Sequence, residues 1–371
     1  MKVLLLAGEE SGMIYARGIR ARLVGHEVRG FQDYGFETSD LAVMGFGAVL
    51  RRLPFFLGVK RTMERAIDEW KPDVVCTIDY PGLNLKLAAY AKARGIRAVH
   101  VVCPQVWAWK QSRIPKIEAA LDHLCCFFPF EPKLFKPGFA SFVGHPLLDD
   151  FVADAAAHPL EKSADERKLV ALLPGSRHGE IERILPTLLQ SAALVKDARF
   201  VIPAANEKAF DLISAIVKES DCAAVVEVQR GGARQLLRAA DCAAVASGTA
   251  TLEAALAKCP TVLVYRVSAA LAAFARRVIR GTKYIGLANV IWDRCVEKSA
   301  TDANEPPMPE LLQEEFTAEA VAENLNRWLT DPSARSAAVR RLETTVAALK
   351  TENDPLSTIV QVVLSGVSSK E

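Results

Sequence analysis

The sequence predicts an α/β protein built from two Rossmann-like halves with parallel sheets. Three observations carry this. Short apolar runs of strand length alternate with longer amphipathic runs along most of the chain, which implies parallel sheets covered on both faces. The alternation occurs twice, interrupted by DDFVADAAAHPLEKSADERK (149–168), a polar, alanine-rich stretch with no strand pattern. At 371 residues, half of them hydrophobic and 24% charged, the chain is long enough for two or three domains with substantial cores.

The predicted strands of the first half are VLLLA (3–7), DVVCTID (73–79), AVHVVC (98–103) and LCCFF (124–128). Those of the second are KLVALLP (168–174), RFVIPAA (199–205), AAVVEV (223–228), CAAVAS (242–247) and PTVLVY (260–265). KLAAYAKARG, EIERILPTLLQSAALVK and TATLEAALAK between them read as helices. The expected domains are 1–155 and 165–330, followed by a helical tail, 331–371, with no third sheet. Two α/β halves of similar size are expected to leave a cleft, where ligands bind beyond the carboxyl ends of the strands.

Composition removes several functions. A net charge of +2 argues against broad nucleic-acid binding. The eight cysteines (76, 103, 125, 126, 222, 242, 259, 295) show no C-x-x-C pairing and mostly lie in apolar runs. They read as buried free thiols in a reducing compartment rather than disulfides or a zinc site. The opening MKVLLLAGEESG is too short for a signal segment and reads as a first core strand. No uncharged apolar stretch reaches about 18 residues, so no membrane span is expected and a cytosolic protein is. P-loop, G-x-G-x-x-G, H-E-x-x-H and G-x-S-x-G patterns are all missing, as is a metal-spaced histidine cluster. Kinase-type ATP chemistry and ordinary NAD binding lose support, and neither cofactor nor metal is expected.

Two turns of the second half suit a phosphate. In ALLPGSRHGEI (171–181) an apolar strand ends in Gly175-Ser176-Arg177 and a helix begins. In ASGTATLEAAL, strand CAAVAS ends and Ser247-Gly248-Thr249 opens a helix with Glu253 in its first turns. Each turn offers unpaired N–H groups and the positive end of a helix dipole. Two such turns at strand ends of one sheet point to a diphosphate. Glu253 suits ribose hydroxyls or the helix dipole.

In the first half, Asp79 ends a strand and suits a general base, or the cap of the helix that follows. VCPQVWAWKQSRIPKI (102–117) sets Trp107 and Trp109 beside Lys110 and Arg113, either as a lip over a cleft or as core packing. His145, in FVGHPL, lies at another strand end, facing the cleft or serving structure. Two segments, 44–61 and 274–284, interleave apolar with cationic residues. Each suits an anionic lipid surface, or a core helix with a basic outer face.

The segments LAVMGF, PDVVCTIDYPGLN, VCPQVWAWKQSRIPKI, FVGHPL, LLPGSR, ASGTATLEAALAKCPTVLVYRVS and PELLQEE, in this order, resemble lipid A disaccharide synthase over nearly the whole chain. The resemblance implies a GT-B glycosyltransferase with two Rossmann-like domains. It implies transfer of 2,3-diacylglucosamine from its UDP derivative to 2,3-diacylglucosamine 1-phosphate, with inversion, release of UDP and no catalytic metal. Asp79 matches the family's proposed base. Arg177 and the Ser247-Gly248-Thr249 helix start would stabilise departing UDP. Glu10, Ser11, Gly12, Asn84, Trp107, Trp109, His145, Gly175, Ser176, Glu253 and Asn289 are the further substrate-binding candidates. The family also implies peripheral binding at the cytoplasmic face of the inner membrane, and some members form dimers that exchange C-terminal parts.

The departures fall mostly in the first half. The family's G-E-x-S-G-D has Met13 where the aspartate would stand, and its D-A-P-D-F-N has Gly82 for the second aspartate. A G-G-P-R-M loop is missing, S-P-S-V-W-A-W begins with Cys103, and an insertion of roughly 299–308 precedes PELLQEE. The nucleotide half keeps the pattern, so the expected alternatives are a transferase with another acceptor or a non-catalytic UDP-sugar or lipid binder.

Overall fold

The computed structural model describes residues 1–41, 52–160, 165–220, 225–279, 281–297 and 305–366. The first sheet comprises β1 (Lys2–Ala7), β2 (Glu27–Arg29), β3 (Val74–Ile78), β4 (Arg97–Val101), β5 (His123–Cys126) and β6 (Ala140–Phe142), in the order β2-β1-β3-β4-β5-β6. The second comprises β7 (Lys168–Leu173), β8 (Ala198–Ala204), β9 (Val226–Arg230), β10 (Cys242–Ala246), β11 (Thr261–Tyr265) and β12 (Glu310–Leu312), in the order β12-β11-β10-β7-β8-β9. All neighbouring strands pair in parallel.

Three strands, β2, β6 and β12, are not among the runs the sequence marks. Each has three residues and stands at the edge of its sheet. A run that short carries no periodicity, and only pairing with a formed neighbour makes it a strand.

Continuous apolar strands result from burial on both faces. In β1, Val3, Leu5 and Ala7 pack with Ala16 and Ile19 of the helix Glu10–Arg22. Leu4 and Leu6 face the other way, onto Val59, Met63 and Ile67 of the helix Leu53–Trp70. β7 is divided likewise, with Val170 and Leu172 on one face and Leu169, Ala171 and Leu173 on the other.

The order of each sheet contains one reversal. The first runs from β1 to β2 on one side and returns to β3 on the other. The second runs from β7 through β8 to β9 and returns to β10. The pairs β1/β3 and β7/β10 therefore flank the switch points, where open α/β sheets bind ligands beyond the strands' carboxyl ends.

The chain divides into one unit of Met1–Pro146 with Leu349–Glu371 and another of Leu147–Ala348. The boundary expected near 155 thus lies before the helix Leu147–Ala157, and the tail expected as a separate group is shared out. The helix Pro332–Ala347 belongs to the second unit, where Leu342 is buried beside Ala254. The helix Pro355–Leu364 covers the first sheet through Ile359, Val360 and Val363. Arg22 Nε meets Asp354 at 3.0 Å, and Arg97 Nη2 donates to the Val362 carbonyl at 3.0 Å. Nothing local in the tail foretells this, because its partners lie more than two hundred residues away in the chain.

Candidate active site

The turn after β3 is held in an unusual backbone conformation. Asp79 (φ 48°) and Tyr80 (φ 52°) are both left-handed, and so is Val102 (φ 76°) beyond the neighbouring β4. A β-branched residue there is strained, and such strain gathers where surrounding structure holds a functional shape. Here the Asp79 N–H donates to the Val101 carbonyl at 2.9 Å and the Val102 N–H to that of Cys125 at 3.1 Å. Asn84, wholly buried, donates Nδ2 to the carbonyls of Leu6 (3.3 Å), Ile78 (3.1 Å) and Asp79 (2.9 Å). Its side chain thus clamps the ends of β1 and β3.

The Asp79 carboxylate accepts the Tyr80 N–H at 2.8 Å. It caps no N–H of the helix Pro81–Lys92, whose N-cap position is Tyr80. Burial raises the Asp79 carboxyl above the ordinary aspartate range, and the Tyr80 N–H opposes this. A raised carboxyl is a stronger proton acceptor once ionised. The Tyr80 ring lies against Gly8, where a Cβ would stand 2.6 Å from Cδ1. Gly8→Ala is expected to displace Tyr80 and destabilise the protein by about 1–3 kcal/mol, read as a lowered thermal midpoint.

Other first-half candidates are placed differently. The backbones of Glu10 and Ser11 begin the helix Glu10–Arg22, but their side chains lie outside the described residues. A Cβ on Gly12 would come within ordinary contact distance of Ala7 and Ile78, at the ends of β1 and β3. Trp107 is no lip. It is buried, because its indole N–H reaches the buried Glu131 Oε1 at 3.1 Å. Trp109 is half-buried under Lys110, whose Nζ lies 4.7 Å from the ring centroid. His145 is buried against Phe127 and Phe128, and burial lowers it to about 4.

Glu131 went unnoticed in the sequence because its partners are distant in the chain. It accepts the Phe128 N–H at 3.1 Å as well as Trp107, and burial raises it to about 8. With Cys103 and Cys126 it forms a buried group whose ligand-type atoms lie within 4.8 Å of one another. The unfolded chain releases the Glu131 proton near the ordinary value of 4.5, the folded protein only near 8. Its protonation therefore adds stability that is complete below 4.5 and declines as pH rises through about 8. Glu131→Gln should remove that decline while leaving one buried donor facing an amide N–H, at a cost of about 1–3 kcal/mol. Urea unfolding at pH 5.5 and 8.5 measures both.

In the second unit the two phosphate-like turns come together. β7 and β10 are paired, Leu173 opposite Val245, so Gly175-Ser176-Arg177 and Ser247-Gly248-Thr249 leave adjacent strands. They line one pocket of about 360 Å³, with Glu253. Gly175 (φ 107°) and Gly248 (φ 153°) adopt backbone that side chains disfavour, and a Cβ on Gly175 would stand 2.7 Å from the Glu180 carboxylate. The helices His178–Ala193 and Thr249–Leu256 start here, neither with a side-chain cap on its first N–H groups. The Glu180 and Thr251 N–H groups donate back to the Arg177 and Gly248 carbonyls, which leaves the N–H groups before them in each helix to face an anion. Arg177 is exposed and pairs with Glu180 at 2.8 Å.

Glu253 accepts Arg234 Nε at 2.8 Å, and Arg234 also meets Asp150 at 2.9 Å. Glu180, Pro203–Ala205 at the end of β8, Gly231 and Ala233 line the pocket and were missed in the sequence, as was Arg234, which does not line it but holds Glu253. Glu180 was readable as a capping acid three residues after Arg177, whereas Arg234 has no local signal. Asn289 does not line the pocket. It is buried, donating to the Met308 carbonyl (2.7 Å) and Glu310 (2.8 Å) and accepting the Met308 N–H (3.0 Å).

Residues 44–51 of the first proposed lipid segment lie outside the described residues. Beyond them Phe55 and Phe56 turn inward toward Tyr80 and Phe36, leaving Leu53 and Leu57 exposed. In the second, Leu271 and Phe274 are exposed on the helix Ala269–Val278. No described helix is long and apolar enough to cross a membrane.

The family model described as lipid-A-disaccharide synthetase matches residues 3–361. The chain is similar to a lipid-A-disaccharide synthase of Xanthomonas oryzae pv. oryzae, 38% identical with 93% of this chain and 83% of the relative covered. It is also similar to that of Chromohalobacter salexigens, 36% identical over 94% of this chain and 93% of the relative. Among solved structures, MurG of Acinetobacter baumannii matches with a TM-score of 0.58 at 13% identity, covering 98% of this chain and 99% of that one. UDP-GlcNAc 2-epimerase of Neisseria meningitidis, bound to UDP-GlcNAc, matches with a TM-score of 0.61 at 13% identity, covering 98% and 100%. With its two parallel six-stranded sheets and this match over nearly its full length, the chain belongs to the lipid-A-disaccharide synthetase family and is a GT-B glycosyltransferase of lipid A biosynthesis.

Proposed function

We propose that the second unit holds the UDP part of UDP-2,3-diacylglucosamine and that Asp79 activates the 6-hydroxyl of 2,3-diacylglucosamine 1-phosphate. The observation that carries this is the convergence of two uncapped helix starts and Arg177 on one pocket at the β7/β10 switch point. The diphosphate lies across the N–H groups of the Gly175 and Gly248 turns. Arg177 exchanges its contact with Glu180 for a phosphate oxygen, and Glu253, held by Arg234, accepts from the ribose.

Asp79 removes the hydroxyl proton as the acceptor oxygen attacks the anomeric carbon. The bond from that carbon to the UDP oxygen breaks on the opposite face, so the configuration inverts. Charge developing on UDP meets the two helix starts and Arg177. Asn84 and Gly8 hold Asp79 in place. Leu53 and Leu57 beside Arg52 and Lys60, and Leu271 and Phe274 beside Arg276, rest on anionic lipid at the cytoplasmic face of the inner membrane, where acylated substrates are concentrated.

Mass spectrometry of the products tests the reading. The purified protein, given both substrates, is expected to form the disaccharide 1-phosphate and UDP in equal amounts. UDP release with a different acylated acceptor, and none with this one, would reassign the acceptor and leave the donor site standing.

A further inference from the structure

The first unit carries a second concavity, about 510 Å³, formed by the helices Pro81–Lys92 and Ile114–Ala120. Leu85, Ala89, Ile117 and Ala120 give it an apolar lining, and Lys86, Arg113 and Lys116 also line it, with no carboxylate among the lining residues. None of these three cationic side chains has an ion-pair or hydrogen-bond partner among the described residues. Some other cations of this unit are paired, Lys60 with Glu64, Lys92 with Asp122 and Arg94 with Asp68. Arg17, Arg61, Arg65 and Lys133 share the lack of a partner among the described residues but line no apolar concavity with other cations. Three unpaired cations around an apolar groove repel one another, and a bound anion relieves that repulsion.

The groove begins beside Asp79. Pro81 and Gly82, which follow the Asp79-Tyr80 turn, line it too, and a Cβ at Gly82 would meet nothing within 4 Å, so this end is open. Lys86 stands five residues further along the same helix, about 7–8 Å along its axis. That is the scale of a hexose with a substituent.

Building on the reading that Asp79 activates an acylated sugar phosphate, we propose that this groove seats the acceptor. An acyl chain lies against Leu85, Ala89 and Ile117, and the phosphate lies among Lys86, Arg113 and Lys116. The ligand class is an anionic amphiphile whose hydroxyl end reaches Asp79. Lysines supply point charges and Arg113 a planar fork, a combination suited to a phosphate monoester.

The test uses the full-length protein in detergent micelles with Lys86→Glu/Lys116→Glu, both exposed positions. Affinity for 2,3-diacylglucosamine 1-phosphate is measured by titration calorimetry, and KM for each substrate by product formation. The double variant is expected to bind the acceptor at least roughly tenfold more weakly and to raise its KM similarly. Donor KM and affinity for the phosphate-free diacylglucosamine should stay unchanged.

Unaltered acceptor affinity overturns the proposal. So does an equal loss for the phosphate-free compound, which would mean a distorted groove. Weaker binding to phosphatidylglycerol vesicles with acceptor affinity intact would assign the groove to bilayer headgroups and also overturn it. The binding arm does not depend on turnover. A wild type that binds the acceptor through this groove yet forms no disaccharide would remove the proposed reaction and leave the groove.

Discussion

Asp79→Asn is expected to lower kcat by about 10²–10⁴-fold while leaving UDP affinity unchanged. The substitution is nearly isosteric, and its amide oxygen can still accept the Tyr80 N–H, so the left-handed turn should persist. What disappears is the site that takes the acceptor proton. Because burial raises the Asp79 carboxyl, wild-type activity should fall on the acid side from a pH above the usual aspartate range, and the variant's residual rate should lack that limb. Stability moves the other way. A carboxyl raised in the folded state contributes stability below its unfolded value and loses it as pH rises through the folded one. At neutral pH the wild type holds a buried charge that asparagine lacks, so the variant should melt at a higher temperature. Product formation by mass spectrometry, UDP titration and thermal unfolding across pH check the three parts. Retained turnover would remove Asp79 from the chemistry.

Arg177→Ala is expected to lower kcat by about 10²–10³-fold and to weaken UDP binding. The guanidinium is exposed and, among the described residues, paired only with Glu180 three residues on, so stability should change by no more than about 0.5 kcal/mol. That separation between activity and stability distinguishes a ligand contact from a structural one. Arg177→Lys should recover part of the loss, because an ammonium supplies charge without the planar fork that spans two oxygens. If alanine leaves both UDP affinity and kcat intact, the nucleotide lies elsewhere, although the two turns would still share a pocket.

The features that were legible in the sequence are those a short stretch of chain specifies by itself. LLPGSR and ASGT each read as a strand end, a glycine turn and a helix start, and each forms those elements. DVVCTID announced an acid at a strand's carboxyl end, and Asp79 is there. Not legible were the distant partners of side chains that look ligand-like. Trp107 was open between a lip and core packing, and its indole bond to the buried Glu131 makes it core. Asn84 and Asn289 were substrate-binding candidates through the resemblance, and their Nδ2 groups bond backbone carbonyls and, for Asn289, the half-buried Glu310 carboxylate. An amide that can bind a ligand can equally bind a carbonyl, and sequence spacing does not distinguish the two.

The sequence by itself determined the fold class, two parallel sheets, nine of the strand runs, both phosphate-like turns and the family. These follow from local periodicity, turn chemistry and residue order, which act over a few residues at a time. Tertiary structure alone decided that β2, β6 and β12 are strands and that the final helix returns to the first sheet. It also decided that the Gly175 and Gly248 turns stand side by side, through the pairing of β7 with β10. Pairing between segments distant in the chain depends on the whole core forming at once, and no local pattern records it.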